Sequence, residues 1–238
     1  GHHRRQRQMC IRDRVMSERI SDHLPKTQKY LPKQRLWYIR ANEVLISSGS
    51  IERPLVFGNN DTPGVMLSSA AKEYMKVYGV LVGKKPLIFT NNDSGYETAI
   101  EFKKNGVNPI ILDTRSNPSS DIITEAKNLN IEIRFSYVVV AAKGYKKVKS
   151  ADIAKISDDK KELFNIENIE CDCICVSGFW TPSIHLASQS GNKSKFNEKI
   201  DAFVPDKSKQ KENTIGSANG IFTLEETIKD AFDKGFDI

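Results

Sequence analysis

The stretch Val44-Leu-Ile-Ser-Ser-Gly-Ser-Ile-Glu-Arg-Pro-Leu-Val-Phe-Gly-Asn-Asn-Asp-Thr-Pro-Gly64 decides how the rest of the chain is read. An apolar run stops abruptly at Ser47-Ser48-Gly49, and Glu52-Arg53-Pro54 follows. That is a buried strand ending in a turn of small residues. With no Cβ, or only a short side chain, the backbone of such a turn can come close to a ligand. The pattern is a first pointer to a dinucleotide site whose other half would lie earlier in the chain. Arg53 is either a phosphate or ribose partner or one member of a structural ion pair. Asp61-Thr-Pro-Gly64 closes the stretch with a turn signal.

Before this stretch, Val15 to Leu24 and Gln34 to Ala41 read as strands joined by a loop that holds Pro25 and Pro32. Trp37, Ile39 and Ala41 alternate with Tyr38 and Arg40, the period of a half-exposed strand. After it, the spacing predicts a helix over Val65–Tyr78, with Leu67, Ala70, Ala71, Tyr74 and Tyr78 on one face. The rhythm then changes. Pro86–Thr90 and Pro109–Asp113 are short apolar strands, Ser94–Lys104 is helical with Tyr96, Ala99, Ile100 and Phe102 inward, and Gly106 stops it. Ser119 or Ser120 caps a third helix, with Ile122, Ile123, Ala126 and Leu129 inward, and Ile131–Arg134 is a third strand. Strand–helix–strand–helix–strand with short apolar strands predicts a parallel sheet with helices on its faces, an α/β Rossmann-like domain.

From Phe135 to Ile156 alternation around Gly144 suggests an antiparallel excursion, and Asp158–Asn168 reads as a polar loop. Ile169–Val176 returns to a buried strand, and Ser177-Gly-Phe-Trp-Thr-Pro182 ends it as the first strand ended. Gly191–Asn213 is Lys-rich and reads as a surface hairpin. Thr223 and Glu226 form a capping-box pair before a last helix whose buried stripe is Leu224, Ile228, Ala231 and Phe232, closed by Gly235. These signals divide the chain into 1–14, 15–64, 65–176 and 177–238.

Residues 1–14, GHHRRQRQMCIRDR, have no hydrophobic period, and Met9–Arg14 resembles a translated sequencing-adapter remnant. A basic nucleic-acid-binding arm is the functional alternative. The segment carries five Arg and one Asp, +4 of the chain's net +6, which leaves +2 for the remainder. The basic balance is therefore no argument for a nucleic-acid partner. No apolar run approaches a membrane span, and the basic start lacks the apolar region of a signal peptide. Cysteine is sparse, which favours a reducing cytoplasm. Alternation would place Cys171, Cys173 and Cys175 on one strand face, as small apolar fillers or, less in keeping with metal-ligand spacing, as ligands.

Phe89–Asp113 is a βαβ unit with an acidic tip. In a dinucleotide site the first turn uses glycines so that backbone N–H groups reach the pyrophosphate, and a carboxylate about 20 residues on takes the ribose hydroxyls. Asp113 stands at that distance, with Thr90 and Asn91 at the turn. The turn, however, reads Thr90-Asn-Asn-Asp-Ser-Gly95. Asp93 puts a negative charge where phosphates would sit, unless Asp93 or Ser94 simply caps the helix. His23 and His185 are isolated, and no nucleophile–base pair, metal cluster or Walker loop stands out.

The run Leu36–Met66, including Trp37-Tyr-Ile-Arg-Ala-Asn-Glu43, resembles the alpha subunit of heterotetrameric sarcosine oxidase. So do Ile88–Tyr96, Val176–Leu186, Ala202–Pro205 and Gly216–Gly220, in colinear order. The wider group is the two-dinucleotide-domain flavoprotein reductases. There a strand ending in Ala-Thr-Gly closes the first domain, and Ser47-Ser48-Gly49 is the equivalent. A Gly-x-x-Pro stop resembles Gly178–Pro182. A final Gly-Asp turn that touches the first cofactor resembles Gly216-Ser-Ala-Asn219, with Asn219 in place of Asp and Gly220 after it.

The resemblance implies a Rossmann-like domain inserted into a second, incomplete dinucleotide-binding domain of the FAD/NAD-linked reductase type. It implies NAD on the alpha subunit, and FAD and FMN in the complete complex with beta, gamma and delta subunits. It further implies oxidative demethylation of sarcosine to glycine with hydrogen peroxide and a one-carbon unit for tetrahydrofolate, which a folate-binding region outside this chain would hold. No catalytic residue is expected here. The expected cofactor-facing residues are Ser47, Ser48, Gly49, Arg53, Gly178, Gly216, Asn219 and Gly220, with Thr90, Asn91 and Asp113 behind them. A subunit of a proline or opine dehydrogenase, and a scaffold with a vestigial nucleotide site, are the alternatives. As an internal piece, the chain would leave Ile46, Phe57 and Phe222 without partners.

Overall fold

The computed structural model describes residues 13–25, 29–208 and 210–236. Residues 1–12, most of the arginine-rich start, lie outside the described residues, as does Cys10. Two compact units emerge. One joins the residues up to 51 with those from 181 onward, and the other is 52–180. The expected boundaries were 64/65 and 176/177; the observed crossings come earlier and later because residues 52–64 carry Phe57 into the core of the second unit.

The first unit opens with β1 (Asp13–Arg19) and β2 (Gln34–Arg40), an antiparallel ribbon in which Val15 faces Tyr38 and Ser17 faces Leu36. Asp13 and Arg14, expected to belong to the non-native start, form the first rungs of this ribbon. Every residue of β2 is exposed, so the alternation of Trp37 and Ile39 with Tyr38 buries neither face. β3 (Val44–Ile46) follows, then β4 (Ser50–Glu52), on which the chain leaves the unit.

The second unit holds β5 (Val65–Leu67), α1 (Ser68–Tyr78), β6 (Pro86–Thr90), α2 (Ser94–Lys104), β7 (Ile110–Asp113), α3 (Asp121–Asn128), β8 (Glu132–Phe135), β9 (Tyr137–Lys143), β10 (Ser150–Ile156), β11 (Leu163–Glu170) and β12 (Cys173–Ser177). Its five-stranded sheet runs β5-β12-β6-β7-β8, parallel throughout. Parallel strands are covered on both faces, which explains why all five residues of β6 and of β12 are buried. Alternation splits them between two cores. Ile88, Ile111, Cys173 and Cys175 face the helices with Tyr96, Phe102 and Ile123. Leu87, Phe89, Leu112, Ile174 and Val176 face a second, antiparallel sheet, β11-β10-β9, through Val139, Ile153 and Phe57. The unit is thus three layers: helices, parallel sheet, antiparallel sheet. Each fully buried Ile or Leu here contributes roughly 1.5–3 kcal/mol over its exposed state.

The helical prediction over 65–78 is corrected in start and phase. Val65–Leu67 pair with Ile174–Val176 as a strand, and the helix then buries Ser68, Ala71 and Met75. Tyr74 and Tyr78 lie outside, ring against ring. The N-terminus of α1 has no local side-chain cap; the buried Glu52 carboxylate accepts from Ser69 N at 2.8 Å. The polar 158–168 stretch is a strand for much of its length, because β11 is an edge that pairs on one side only and stays exposed. Cys171 precedes β12 and joins the core of the antiparallel side, opposite Cys173 and Cys175, so the three thiols do not share a face.

The chain returns to the first unit on β13 (Trp180–Pro182) and continues through α4 (His185–Gln189), the hairpin β14 (Ser194–Asn197) and β15 (Ala202–Pro205), β16 (Glu212–Thr214), a 3₁₀ turn over Gly216–Asn219, and α5 (Leu224–Phe236). Thr223 caps α5 as expected: its hydroxyl bonds the Glu226 carboxylate at 2.6 Å and Glu226 N at 3.4 Å. Three expectations fail. α5 runs through Gly235 to Phe236, and its apolar stripe is exposed, Leu224 at 76%, Ile228 at 60% and Phe232 at 62%. Ile46 and Phe57, expected to lack partners, are buried, and Phe222 is half-buried. β2 and α5 are among the elements that carry exposed apolar side chains instead.

Candidate functional site

In the first unit, β3 and β16 run parallel and adjacent, Val44 beside Glu212 and Ile46 beside Thr214. Ile215 N extends the ladder to Ile46 O at 3.0 Å. Their carboxyl ends therefore bring two turns together, Ser47-Ser48-Gly49 and Gly216–Gly220. In open α/β sheets ligands bind outside the carboxyl ends of adjacent parallel strands. Ser47 and Ser48 are exposed, and Ser48 Oγ donates to Ser183 O at 2.6 Å while Gly49 O accepts from Ser183 N. Gly49 has φ +75° and nothing within 4 Å of where a Cβ would stand, so the turn presents bare backbone to open space.

The second turn is held from behind. Gly216 N donates to the Asp230 carboxylate of α5 at 2.9 Å, and Lys234 pairs with Asp230 and donates to Thr214 O. Gly220 has φ +82°, and a Cβ there would fall 2.9 Å from Ile200 Cδ1 and 3.0 Å from Val204 Cγ1. Asn219 sits half-buried between them. Ser47, Ser48, Gly49, Gly216, Asn219 and Gly220, predicted separately from residues far apart in sequence, are thus assembled at one end of one strand pair. A dinucleotide fits this set in one respect the structure shows directly: small residues at paired strand ends, with open space at Gly49.

Arg53 and Gly178 belong to the other unit. Their backbones bond each other, with Gly178 N to Arg53 O at 2.7 Å and Arg53 N to Phe179 O at 2.8 Å. A Cβ on Gly178 would meet Arg53 O at 2.8 Å, so this glycine permits two strands to touch rather than a ligand to approach. Phe179 follows at φ +81°, a conformation that stores strain in a bulky residue.

Thr90, Asn91 and Asp113 do lie at the carboxyl ends of β6 and β7, but the Thr90 hydroxyl, the Asn91 Oδ1 and the Asp113 carboxylate are taken up within the unit. Thr90 is fully buried, and its hydroxyl donates to Asn92 O. Asn91 Oδ1 accepts from Asn92. Asp113 is 0% exposed and accepts from Tyr96 OH at 2.7 Å, from Arg115 N at 2.9 Å, and from the Arg115 guanidinium at 2.8–3.2 Å. Arg115 also bonds Asp93 at 2.8 Å. Burial and then the Asp113 carboxylate push the Tyr96 hydroxyl far above its ordinary pKa. Burial opposes the charge on Arg115, but its bonds to Asp113 and Asp93 hold it more firmly protonated than usual. Asp93 thus does not cap α2 with its side chain, as one reading expected.

The thiols are buried and free of disulfides, and Cys173 and Cys175 touch at 3.5 Å. Burial first, then the neighbouring Cys173, Asp172 and Glu170, pushes the Cys171 thiol up to about 12. No group of His, Cys, Asp and Glu suited to a metal occurs among the described residues. His23 lies 3.6 Å from Asp22, and His185 opens α4. Reading the sequence alone misses Asp230, Asn92, Arg115 and Trp180. Asp230 is one of several acids on α5. The available signal for Arg115 was an arginine two residues past an acidic strand end.

No family model matches the chain. It is 33% identical over 192 residues to the sarcosine oxidase subunit alpha of Corynebacterium sp. (strain P-1), covering 80% of this chain and 20% of that protein. It is 35% identical over 188 residues to the subunit of the same name from Rhizobium meliloti (strain 1021), covering 79% and 18%. The chain is a relative of these alpha subunits and spans about a fifth of their length. In fold it is similar to T. acidophilum thioredoxin reductase (TM-score 0.64, 18% identity, 85% of this chain and 66% of that one). It is also similar to L-proline dehydrogenase from P. horikoshii (TM-score 0.53, 21% identity, 85% and 36%). The fold is that of the FAD/NAD-linked reductases. No helix among the described residues is long and apolar enough to cross a membrane.

Proposed function

We propose that this relative of sarcosine oxidase alpha subunits is the dinucleotide-holding part of a flavoprotein oxidoreductase that acts on sarcosine. The observation that carries the reading is the pairing of β3 with β16, which sets Ser47-Ser48-Gly49 beside Gly216–Gly220 at the carboxyl ends of parallel strands. The two turns would hold the nucleotide, with NAD the expected occupant and FAD the competing one. When bound, the group supplies a ring that exchanges hydride or electrons; the chain's own residues bind and orient it. Asp230 acts by positioning, because it fixes Gly216 from the side of α5. Demethylation of sarcosine, with FMN, tetrahydrofolate and the beta, gamma and delta partners, belongs to the same proposal through the names of the relatives. A proline dehydrogenase subunit is the second reading, favoured by the shared fold with that enzyme.

The test is to purify the native protein with its partners, denature it, and identify the released nucleotide by mass, then follow hydrogen exchange with and without added NAD. Released NAD and protection at 47–49 and 216–220 are expected. Absence of any adenine nucleotide, with no protection at either turn, would remove the site. Turnover of sarcosine against proline by the same preparation separates the two substrate readings.

A further inference from the structure

We infer that the second unit, although it keeps the dinucleotide fold, takes no dinucleotide, because the place of the pyrophosphate is sealed from within by Asn92, Trp180 and an Arg115 bridge. This goes beyond the proposal for the first unit and does not depend on it.

A dinucleotide asks three things of a βαβ turn: a glycine where the backbone must approach the pyrophosphate, exposed N–H groups at the helix start, and an accepting carboxylate for the ribose. The spacing of G-x-G-x-x-G falls on Thr90, Asn92 and Gly95. Only the third position is kept, and its reason is internal. A Cβ on Gly95 would fall 2.7 Å from Thr90 Cβ, so this glycine serves the close packing of α2 on β6. The second position, which serves the ligand, holds Asn92, 6% exposed. Its Nδ2 donates to Ser177 O at 3.0 Å, at the end of the neighbouring strand β12. Its Oδ1 accepts from Ser94 N at 2.9 Å, which occupies a donor at the start of α2.

The helix start is covered as well. Trp180 Nε1 donates to Ser94 Oγ at 2.8 Å, which places an indole over the first turn of α2. Asp93, the residue before the helix, brings a carboxylate to the same point. A diphosphate there would meet a like charge rather than a dipole free to receive it. Arg115 supplies no relief, since it already bridges Asp93 and Asp113, and these two carboxylates outnumber its single charge. The third requirement fails at Asp113. That carboxylate is fully buried, with both oxygens accepting from Tyr96 and Arg115, so a ribose diol finds no acceptor. The glycine that packs α2 on β6 is retained, while the groups that would face a nucleotide are turned to internal bonds.

Hydrogen exchange of the complete protein saturated in turn with NADH, NADPH and FAD tests this. No protection is expected at 90–95 or 113–115, whatever happens at 47–49 and 216–220, so the two proposals fail separately. Protection at 90–95 in the unaltered protein overturns the inference. A second arm reads Trp180 fluorescence in a Trp37→Phe background; a second saturable phase, distinct from the one that tracks protection at 47–49 and 216–220, also overturns it, and a titration without a second phase supports it. The third arm opens the seal with Asn92→Gly, Asp93→Gly and Trp180→Ala together. At least a tenfold gain in NADH or NADPH affinity, with protection at 90–95, is expected. A variant with native circular dichroism and no gain shows that these side chains are not what excludes the ligand. If the variant fails to fold, the first two arms decide.

Discussion

Replacing Arg115 with Met removes the cation from a carboxylate that water cannot reach. Arg115 contributes the 2.8–3.2 Å guanidinium bonds to Asp113, which is 0% exposed, and one of 2.8 Å to Asp93. Breaking a buried pair on one side typically costs about 3–5 kcal/mol, because a charge is left without compensation. Two donors to Asp113 survive, the Tyr96 hydroxyl and the backbone N–H of residue 115. Arg115 itself is 32% exposed, so water screens part of the pair. These place the expected loss at the low end, about 3 kcal/mol. With a urea m-value of about 2 kcal/mol/M, the midpoint of the second unit falls by about 1.5 M. The assay is Trp180 fluorescence in a Trp37→Phe background, which reports on that unit alone. Changing Asp113→Asn together with Arg115→Met takes away the stranded charge, since an amide oxygen still accepts from Tyr96. The double variant should recover about 2 kcal/mol of the loss, a coupling that a double-mutant cycle measures directly. A single variant within about 1 kcal/mol of the parent, or a double variant no better than the single, would falsify the account of a buried ion pair.

Gly95→Ala sets a methyl 2.7 Å from Thr90 Cβ, and overpacking of this kind costs about 1–3 kcal/mol; an unchanged urea midpoint would show that α2 does not sit as close to β6 as described. In a Cys10→Ser background the native protein should expose no thiol to Ellman's reagent and yield three on denaturation, since Cys171, Cys173 and Cys175 are all buried; rapid native labelling contradicts their burial. Alkali should destabilise the second unit. Burial and neighbouring charges push the Cys171 thiol up to about 12, whereas an unfolded thiol titrates near 8.5, so above that pH the folded state holds a proton that the unfolded state has lost. The Cys171 contribution is therefore fully present below about pH 8.5 and is lost as pH rises toward 12, at up to about 1.4 kcal/mol per pH unit. Cys171→Ala should flatten that decline, and an identical pH profile in the variant counts against it. Substituting Leu224, Ile228 and Phe232 with Gln should leave stability within about 0.5 kcal/mol per site while lowering ANS fluorescence, because the stripe is largely exposed; a large loss of stability would show that α5 is held by its apolar face.

How far the sequence could be read depended on whether a residue's partner is local. The αβ alternation from Pro86 to Phe135 was legible because each element carries its own period and buries it within the unit, and α2 begins and ends where its spacing set it. α1 was placed out of phase because Val65–Leu67 are claimed by β12, more than 100 residues away, and local spacing holds no trace of that pairing. β16 has three residues, all of them polar, and becomes a strand only because β3 lies beside it. The α5 stripe fails in the opposite sense. Its period was read correctly, but a period states that an apolar face exists and says nothing of what covers it.

The two candidate sites differ in the same way. Small residues at strand ends are a local signal, and the structure brings Ser47–Gly49 and Gly216–Gly220 side by side. Whether a Rossmann turn is open is not local. Asn92 reaches Ser177, Trp180 reaches Ser94, and Arg115 reaches back to Asp93. A departure from a glycine fingerprint therefore has two opposite meanings, a turn that binds by other means or a turn that has closed on itself. The hydrogen-bond partners of the substituted side chain choose between them. For Asn92 all the bonds the structure records are internal to the unit, and the same holds for both oxygens of Asp113. The retained Gly95 fits that choice, since among the three fingerprint positions it alone serves helix–strand packing. A unit that had merely drifted would be expected to lose packing and binding positions alike. Here the packing glycine is kept while the glycine that admits the pyrophosphate is replaced by an internally bonded Asn92, which indicates a fold kept for its shape after its ligand site was given up.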